Sequence, residues 1–258
     1  MKSSQVQEAQ INTFGQLVRQ IRAGNVPWMR MMITFDFSLS NTWAGPVYDL
    51  NLHDISQLDQ NQYIRVLDGI RGMANRFVQN GHIPAYRFGC AQSEDFDCLP
   101  LCHPNPNALF EGFDALQAGY VHAVQTVKLF GPTQLAPVIQ QAIKVSAESN
   151  HKELLLCVII TDGDSEDIML DAQALVAASK YPICFVGVGL GKGPFTDLEK
   201  FDDLKDRKFD NFQFVNYNEI VGQSNIHCER PDLVLALAMF KEIPAAVQKM
   251  RKAGIIEK

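Results

Sequence analysis

Three oxygen-bearing side chains close an apolar run near the start of the chain. In Arg30-Met-Met-Ile-Thr-Phe-Asp-Phe-Ser-Leu-Ser-Asn41, the donors are Asp36, Ser38 and Ser40. One carboxylate and two hydroxyls stand at the carboxyl end of a buried strand, where the backbone turns and side chains can converge on an ion. Mg²⁺ and Mn²⁺ take such hard oxygen donors, whereas zinc selects nitrogen and sulfur; Mg²⁺ also keeps several waters, so a few protein ligands suffice. Two further donors complete the set: Thr133 in the tight turn Gly131-Pro132-Thr133, and Asp162 after the apolar Ile159-Ile160-Thr161. Loops that follow the strands of an open parallel sheet gather on one edge, so residues more than a hundred positions apart meet there. A lone Asp or Ser after a strand is an ordinary turn or cap residue. The ordered recurrence of five donors is what singles out a cation.

Other chemistries have weaker claims. Gly187-x-Gly189-x-Gly191-x-Gly193 follows a strand, but its spacing is not the G-x-G-x-x-G of dinucleotide loops and it comes late in the sheet. No G-x-S-x-G elbow is present, and the histidines, including His82 and His122, form no triad or metal-dyad motif. Asp164, Glu166 and Asp167 read as acidic residues at the positive end of a helix, with a supporting role to the ion open to them. Cys98-x-x-x-Cys102-His103 lacks a second ligand pair at zinc spacing. The expectation is a chain without enzymatic activity.

A chain of 258 residues, 47% apolar and 20% charged, has volume for one full core. Its net charge of −6 disfavours nucleic acid and anionic lipid, which require concentrated Lys and Arg; the one short basic cluster is Lys249-Met-Arg-Lys252. Six scattered cysteines show no disulfide-framework spacing. Met1–Gln10 is polar, and no apolar run approaches the roughly 20 residues of a membrane span. A cytoplasmic location and no membrane insertion are therefore expected.

The elements that must position the donors follow from periodicity. An amphipathic helix is expected near 6–23, from Val6, Ile11, Phe14, Val18 and Ile21, followed by a strand at 30–36 and an irregular loop with Trp43, Gly45 and Pro46. A helix at 61–79 leads to a strand through Ile83 to Phe88; Pro100, Pro104 and Pro106 then mark a long loop. Helices at 109–126 and 134–149 flank Thr133, and Leu154–Ile160 is a continuous apolar strand of the kind buried on both faces. A helix at 166–180, a strand at 182–188, a short helix at 195–202, a strand at 212–215 and a last helix at 230–251 complete a doubly wound α/β layout with a mostly parallel sheet.

The set D-x-S-x-S, turn Thr and strand-Thr-Asp-Gly resembles the metal-ion-dependent adhesion site of von Willebrand factor A domains. Tyr86-Arg-Phe-Gly89, Lys128-Leu-Phe-Gly-Pro-Thr-Gln-Leu-Ala-Pro137, Val186-Gly-Val-Gly189, Phe209-Asp-Asn-Phe-Gln-Phe-Val-Asn-Tyr217 and Leu235-Ala-Leu-Ala-Met-Phe-Lys-Glu-Ile-Pro244 are similar to the A domain of copines and of copine-like RING ubiquitin ligases of plants. The resemblance implies a copine-type domain over 29–258 behind a helical extension over 1–28. It implies Ser38 and Ser40 as direct ligands, Asp36 and Asp162 balancing charge directly or through water, and Thr133 joining directly or through water. One open position on the ion would take a carboxylate of a protein partner. Residues 229–258 hold no paired Cys and His ligands, so RING chemistry is not implied. The first alternative is a component of a larger assembly, with the ion only ordering the sheet edge; the less favoured one is a metal-dependent enzyme or a ubiquitin-pathway adaptor.

Overall fold

A computed structural model describes residues 13–42, 51–78, 81–227 and 231–257. The strands form because their residues are apolar on both faces. In β1 (Met29–Asp36), Met31, Ile33 and Phe35 enter one core layer and Met32 the other. In β5 (Leu154–Thr161), Leu154, Leu156, Val158 and Ile160 face the first layer, and Leu155, Cys157 and Ile159 the second. The two-residue period of a strand makes this division automatic, and strands buried on both faces belong inside a helix-covered parallel sheet.

The remaining strands are β2 (His82–Phe88), β3 (Leu99–Pro100), β4 (Leu109–Glu111), β6 (Ile183–Gly189) and β7 (Phe212–Asn216), in the order β3-β2-β1-β5-β6-β7 with β4 also paired to β2. Pairs β1–β2, β1–β5, β5–β6 and β6–β7 are parallel, while β3 and β4 run antiparallel to β2. The chain moves outward from β1 to β2 and β3, then returns to the other side of β1 as β5. The carboxyl ends of β1 and β5 therefore border the topological switch point, where open α/β sheets bind ligands.

Helices α1 (Phe14–Ala23), α2 (Gln62–Phe77) and α3 (Gly112–Thr126) cover one face, together with α8 (Pro231–Phe240) and α9 (Ile243–Lys252). Helices α4 (Ala136–Ala147), α5 (Ile168–Ala178) and α6 (Thr196–Asp202) cover the other. The lead-in helix begins with a capping box between Thr13 and Gln16, and it buries Leu17 and Ile21; the expected portion before residue 13 lies outside the described residues, as does the loop of Trp43, Gly45 and Pro46. Asn61 caps α2 by accepting from the Ile64 amide at 3.0 Å.

Several boundaries differ from expectation. Leu109–Glu111 is strand, since these residues pair with His82–Pro84 before Gly112, at φ +78°, turns the chain into α3. The long loop carries β3. Tyr217–His227 forms an unforeseen helix, α7. The last helix is two, because Pro244 has no amide to donate and is accommodated in the first turn of a new helix.

Among the described residues, no helix is long and apolar enough to cross a membrane. The core prediction is direct. Leu156, fully buried in β5, should cost about 2–5 kcal/mol when replaced by Ala, whereas Phe130→Ala, at a side chain 47% exposed, should stay within about 0.5 kcal/mol. Urea denaturation midpoints at constant slope measure both.

Candidate metal centre

The five donors named from sequence meet in space. Asp36 ends β1 with its side chain fully buried. Its Oδ1 accepts from the Ser38 amide at 2.8 Å, and its Oδ2 accepts from Thr133 Oγ1 at 3.0 Å and from Thr161 Oγ1. Ser38 Oγ lies 2.9 Å from Ser40 Oγ and accepts from Thr133 Oγ1 at 3.2 Å. Across the switch point, Asp162 Oδ1 accepts from Ser40 Oγ at 2.8 Å and from Ser38 Oγ at 3.4 Å. Two carboxylates and three hydroxyls thus form one network contributed by three loops.

Two observations indicate what this network fits. Asp162 Oδ2 is buried with no hydrogen-bond partner among the described residues, an expensive condition for a carboxylate oxygen. Burial also raises the Asp36 and Asp162 pKa values above the ordinary carboxylate range, and Asp36 raises Asp162 further. No Lys or Arg among the described residues forms a recorded ion pair with either group. A hard divalent cation offers the orphan oxygen a partner and the pair a countercharge, and the hydroxyl oxygens keep lone pairs for it; the residues fit Mg²⁺ or Mn²⁺. Among the described residues there is no group of three or more His, Cys, Asp or Glu placed to hold a metal. Three of the five donors here are hydroxyls, which such a group would not contain.

Residues that sequence reasoning passed over hold the donors in place. Asn41 Nδ2 donates to Asp162 Oδ1 at 3.1 Å, and Asn41 Oδ1 accepts from Tyr63 at 2.7 Å. His53, buried between the Phe37 and Tyr63 rings at 4.4 and 4.5 Å, sits with Nε2 2.9 Å from the Asp36 carbonyl. A carbonyl only accepts, so Nε2 carries the hydrogen, and Nδ1 accepts from Tyr120 OH at 2.9 Å. Burial pushes this imidazole down to about 3, which keeps it neutral. Asp171 on α5 accepts from the Leu135 amide at 3.0 Å, from the Ala136 amide and from Ser165 Oγ at 2.6 Å, tying the Thr133 loop to the Asp162 loop. Gly89, at φ +69°, brings its backbone so close that a Cβ would stand 2.9 Å from the Ser38 amide nitrogen and 3.1 Å from Asp36 Oδ1. Thr161, Asn41 and Gly89 lie inside or beside quoted motifs, so adjacency was the available signal. His53 and Asp171 offered none.

The crevice above the network has a volume of about 590 Å³ and is lined by Leu39, Ser40, Thr133, Asp162, Glu166 and Lys192, among others. Asp164 also lines it, with its carboxylate accepting from the Thr196 and Asp197 amides at the start of α6 at 3.0 and 2.8 Å. Asp167 caps α5 by accepting from the Met169 and Leu170 amides at 3.1 and 3.0 Å.

Comparisons of the sequence with known families and proteins agree on one family. The family profile described as Copine matches residues 51–258. Copine family protein 2 of Caenorhabditis elegans is 27% identical over 95% of this chain, which spans 3% of that protein. The E3 ubiquitin-protein ligases RGLG3 and RGLG1 of Arabidopsis thaliana are 31% and 35% identical over 90% and 83% of this chain, which spans 66% and 46% of theirs. The chain thus spans less than two thirds of the length of these relatives. Among solved structures, a von Willebrand factor type A protein from Catenulispora acidiphila aligns at 14% identity and TM-score 0.45, over 85% of this chain and 42% of that one. The expectation of a chain without enzymatic activity is corrected here. Five relatives at 29–35% identity are named E3 ubiquitin-protein ligases, so the family includes enzymes, and the expectation had rested on a metal motif suited to ligand binding and on finding neither a nucleophile or base motif nor RING ligand pairs. The matched profile covers most of the chain, and the chain belongs to the copine family.

Proposed function

We propose that the switch-point crevice binds Mg²⁺ or Mn²⁺ through Ser38, Ser40 and Thr133, with Asp36 and Asp162 supplying charge, and that the bound ion recognises an acidic side chain of a protein partner. The buried, unpartnered Oδ2 of Asp162 inside a hydroxyl-lined network carries this reading. The ion would act as an electrophile held at the floor of an open crevice, with one coordination position left for an incoming carboxylate. The protein residues orient the donors: His53 and Tyr63 hold the Asp36 carbonyl, Asn41 holds Asp162, and Asp171 joins the two distal loops. In a family that includes ubiquitin ligases, such a site would select the protein to be modified, with the cytoplasm as the proposed setting.

Titration calorimetry with Mg²⁺ and Mn²⁺ tests the site. Wild type should bind either ion, and Asp36→Ala and Asp162→Ala should each weaken binding at least about 10-fold; identical uptake by wild type and Asp36→Ala would sink the assignment. The core strands do not depend on the ion, so chelator should leave the chain folded at room temperature and lower its Tm. At an ion concentration 100 times Kd, the loss corresponds to about 2.7 kcal/mol. Circular dichroism melts with and without chelator read it, and unfolding in chelator at room temperature would point to a structural metal instead. Gly89→Ala should weaken ion binding as well, because its Cβ displaces Ser38 and Asp36; unchanged affinity in the folded variant would show that this close approach is not needed.

A further inference from the structure

The edge of the sheet opposite the crevice carries a second groove. Where α1 and α2 end and β1 begins, Arg22, Val26, Pro27, Trp28, Arg76 and Phe77 line a cavity of about 270 Å³. Val78 pairs with Met29, which fixes the end of α2 beside the entry to β1. Trp28 is 61% exposed. Arg22 and Arg76 are exposed, and neither has a recorded ion pair among the described residues; Arg76 instead lies over the Phe14 ring at 5.3 Å. In a chain of net charge −6, two guanidinium groups without an ion-pair partner among the described residues, beside an exposed indole, favour a ligand that is both acidic and aromatic. Guanidinium forks grip carboxylates, and the indole supplies a rigid apolar contact.

The chain presents such a segment on its other edge. Glu94-Asp95-Phe96-Asp97 follows β2, and Phe96 is 77% exposed. The loop is preformed: Ser93 Oγ accepts from the Cys90 amide at 3.0 Å, and the Glu94 and Asp97 amides donate to the Cys90 and Ser93 carbonyls at 2.8 and 3.2 Å. Preorganisation lowers the entropy lost on docking. None of its three carboxylates has a recorded ion pair among the described residues.

We propose that this groove receives the Glu94–Asp97 loop of a second copy of the chain. The loop stands at the carboxyl edge of the parallel strands and the groove at the amino edge, so the contact joins unlike surfaces. Each docked copy leaves one loop and one groove free, and association propagates head to tail. A loop this short buries less than the roughly 1,200 Å² of stable interfaces. The association is therefore weak, concentration-dependent and salt-sensitive.

Sedimentation equilibrium on the full chain tests this. The average mass should rise with protein concentration and fall as salt is added. A loop variant (Asp95→Lys with Phe96→Ala) and a groove variant (Arg22→Glu with Arg76→Glu) should each weaken association at least 10-fold alone. Mixed together, they should form dimers and stop there, since one intact loop and one intact groove remain. Circular dichroism establishes that both variants are folded, and all four positions are solvent-facing or partly so. A wild-type chain monomeric to roughly 1 mM, association unchanged in either variant, or a mixture that fails to dimerise would each overturn the proposal. In a Trp43→Phe background Trp28 is the sole tryptophan, and a synthetic peptide of residues 92–97 should perturb its fluorescence. Peptide binding with a chain that stays monomeric would also overturn it, and would assign the groove to a segment of another protein.

Discussion

The buried carboxylate of Asp36 is the constraint on which the rest of the site depends. It is fully enclosed, and both oxygens are satisfied by groups from three chain segments: the Ser38 amide, Thr133 and Thr161. An enclosed carboxylate without such donors would be costly, so the three segments must arrive together for any of them to be well placed. The parallel pairing of β1 with β5 brings Thr161 to Asp36, and the Gly131–Thr133 turn comes over the top.

That requirement explains why the supporting shell is rigid and aromatic. His53, stacked against Phe37 and Tyr63, grips the Asp36 carbonyl from beneath while Tyr120 holds the other imidazole nitrogen. A neutral imidazole suits this position, because a protonated ring would have no acceptor role for Tyr120 to donate to. On the far side, Asp171 satisfies amides at the start of α4 and the hydroxyl of Ser165. The donors are thus presented by elements locked on both faces of the sheet, which is how a site on loops keeps a fixed geometry.

The two edges of the sheet differ in chemistry. The carboxyl edge gathers carboxylates and hydroxyls and adds the exposed acidic turn around Phe96. The amino edge gathers Arg22, Arg76 and Trp28. Because all the central strands run in one direction, residues before strands and residues after strands are sorted to opposite poles, and a local sequence bias at strand starts or ends becomes a surface with its own polarity.

Much of this was legible in the chain itself. Runs such as Leu154–Ile160 are apolar at every position, which only a strand covered on both faces accommodates, and Asp36, Ser38, Ser40, Thr133 and Asp162 announce themselves as hard donors after apolar runs or in a Gly-Pro turn. Local pattern failed where an element depends on its neighbour: Leu109–Glu111 is strand because β2 offers it an edge, and the 230–251 helix breaks where Pro244 must begin a new turn. The enzymatic character of the family was legible only from relatives, since no local motif carries it. Tertiary structure alone decided that His53 and Asp171 serve the site. Their partners, the Asp36 carbonyl and the Leu135 and Ala136 amides, lie 17, 36 and 35 positions away, and backbone groups leave no mark in sequence. It also decided that one buried oxygen of Asp162 has no hydrogen-bond partner among the described residues, because donor types follow from composition, whereas satisfaction of each donor follows from which strands lie side by side.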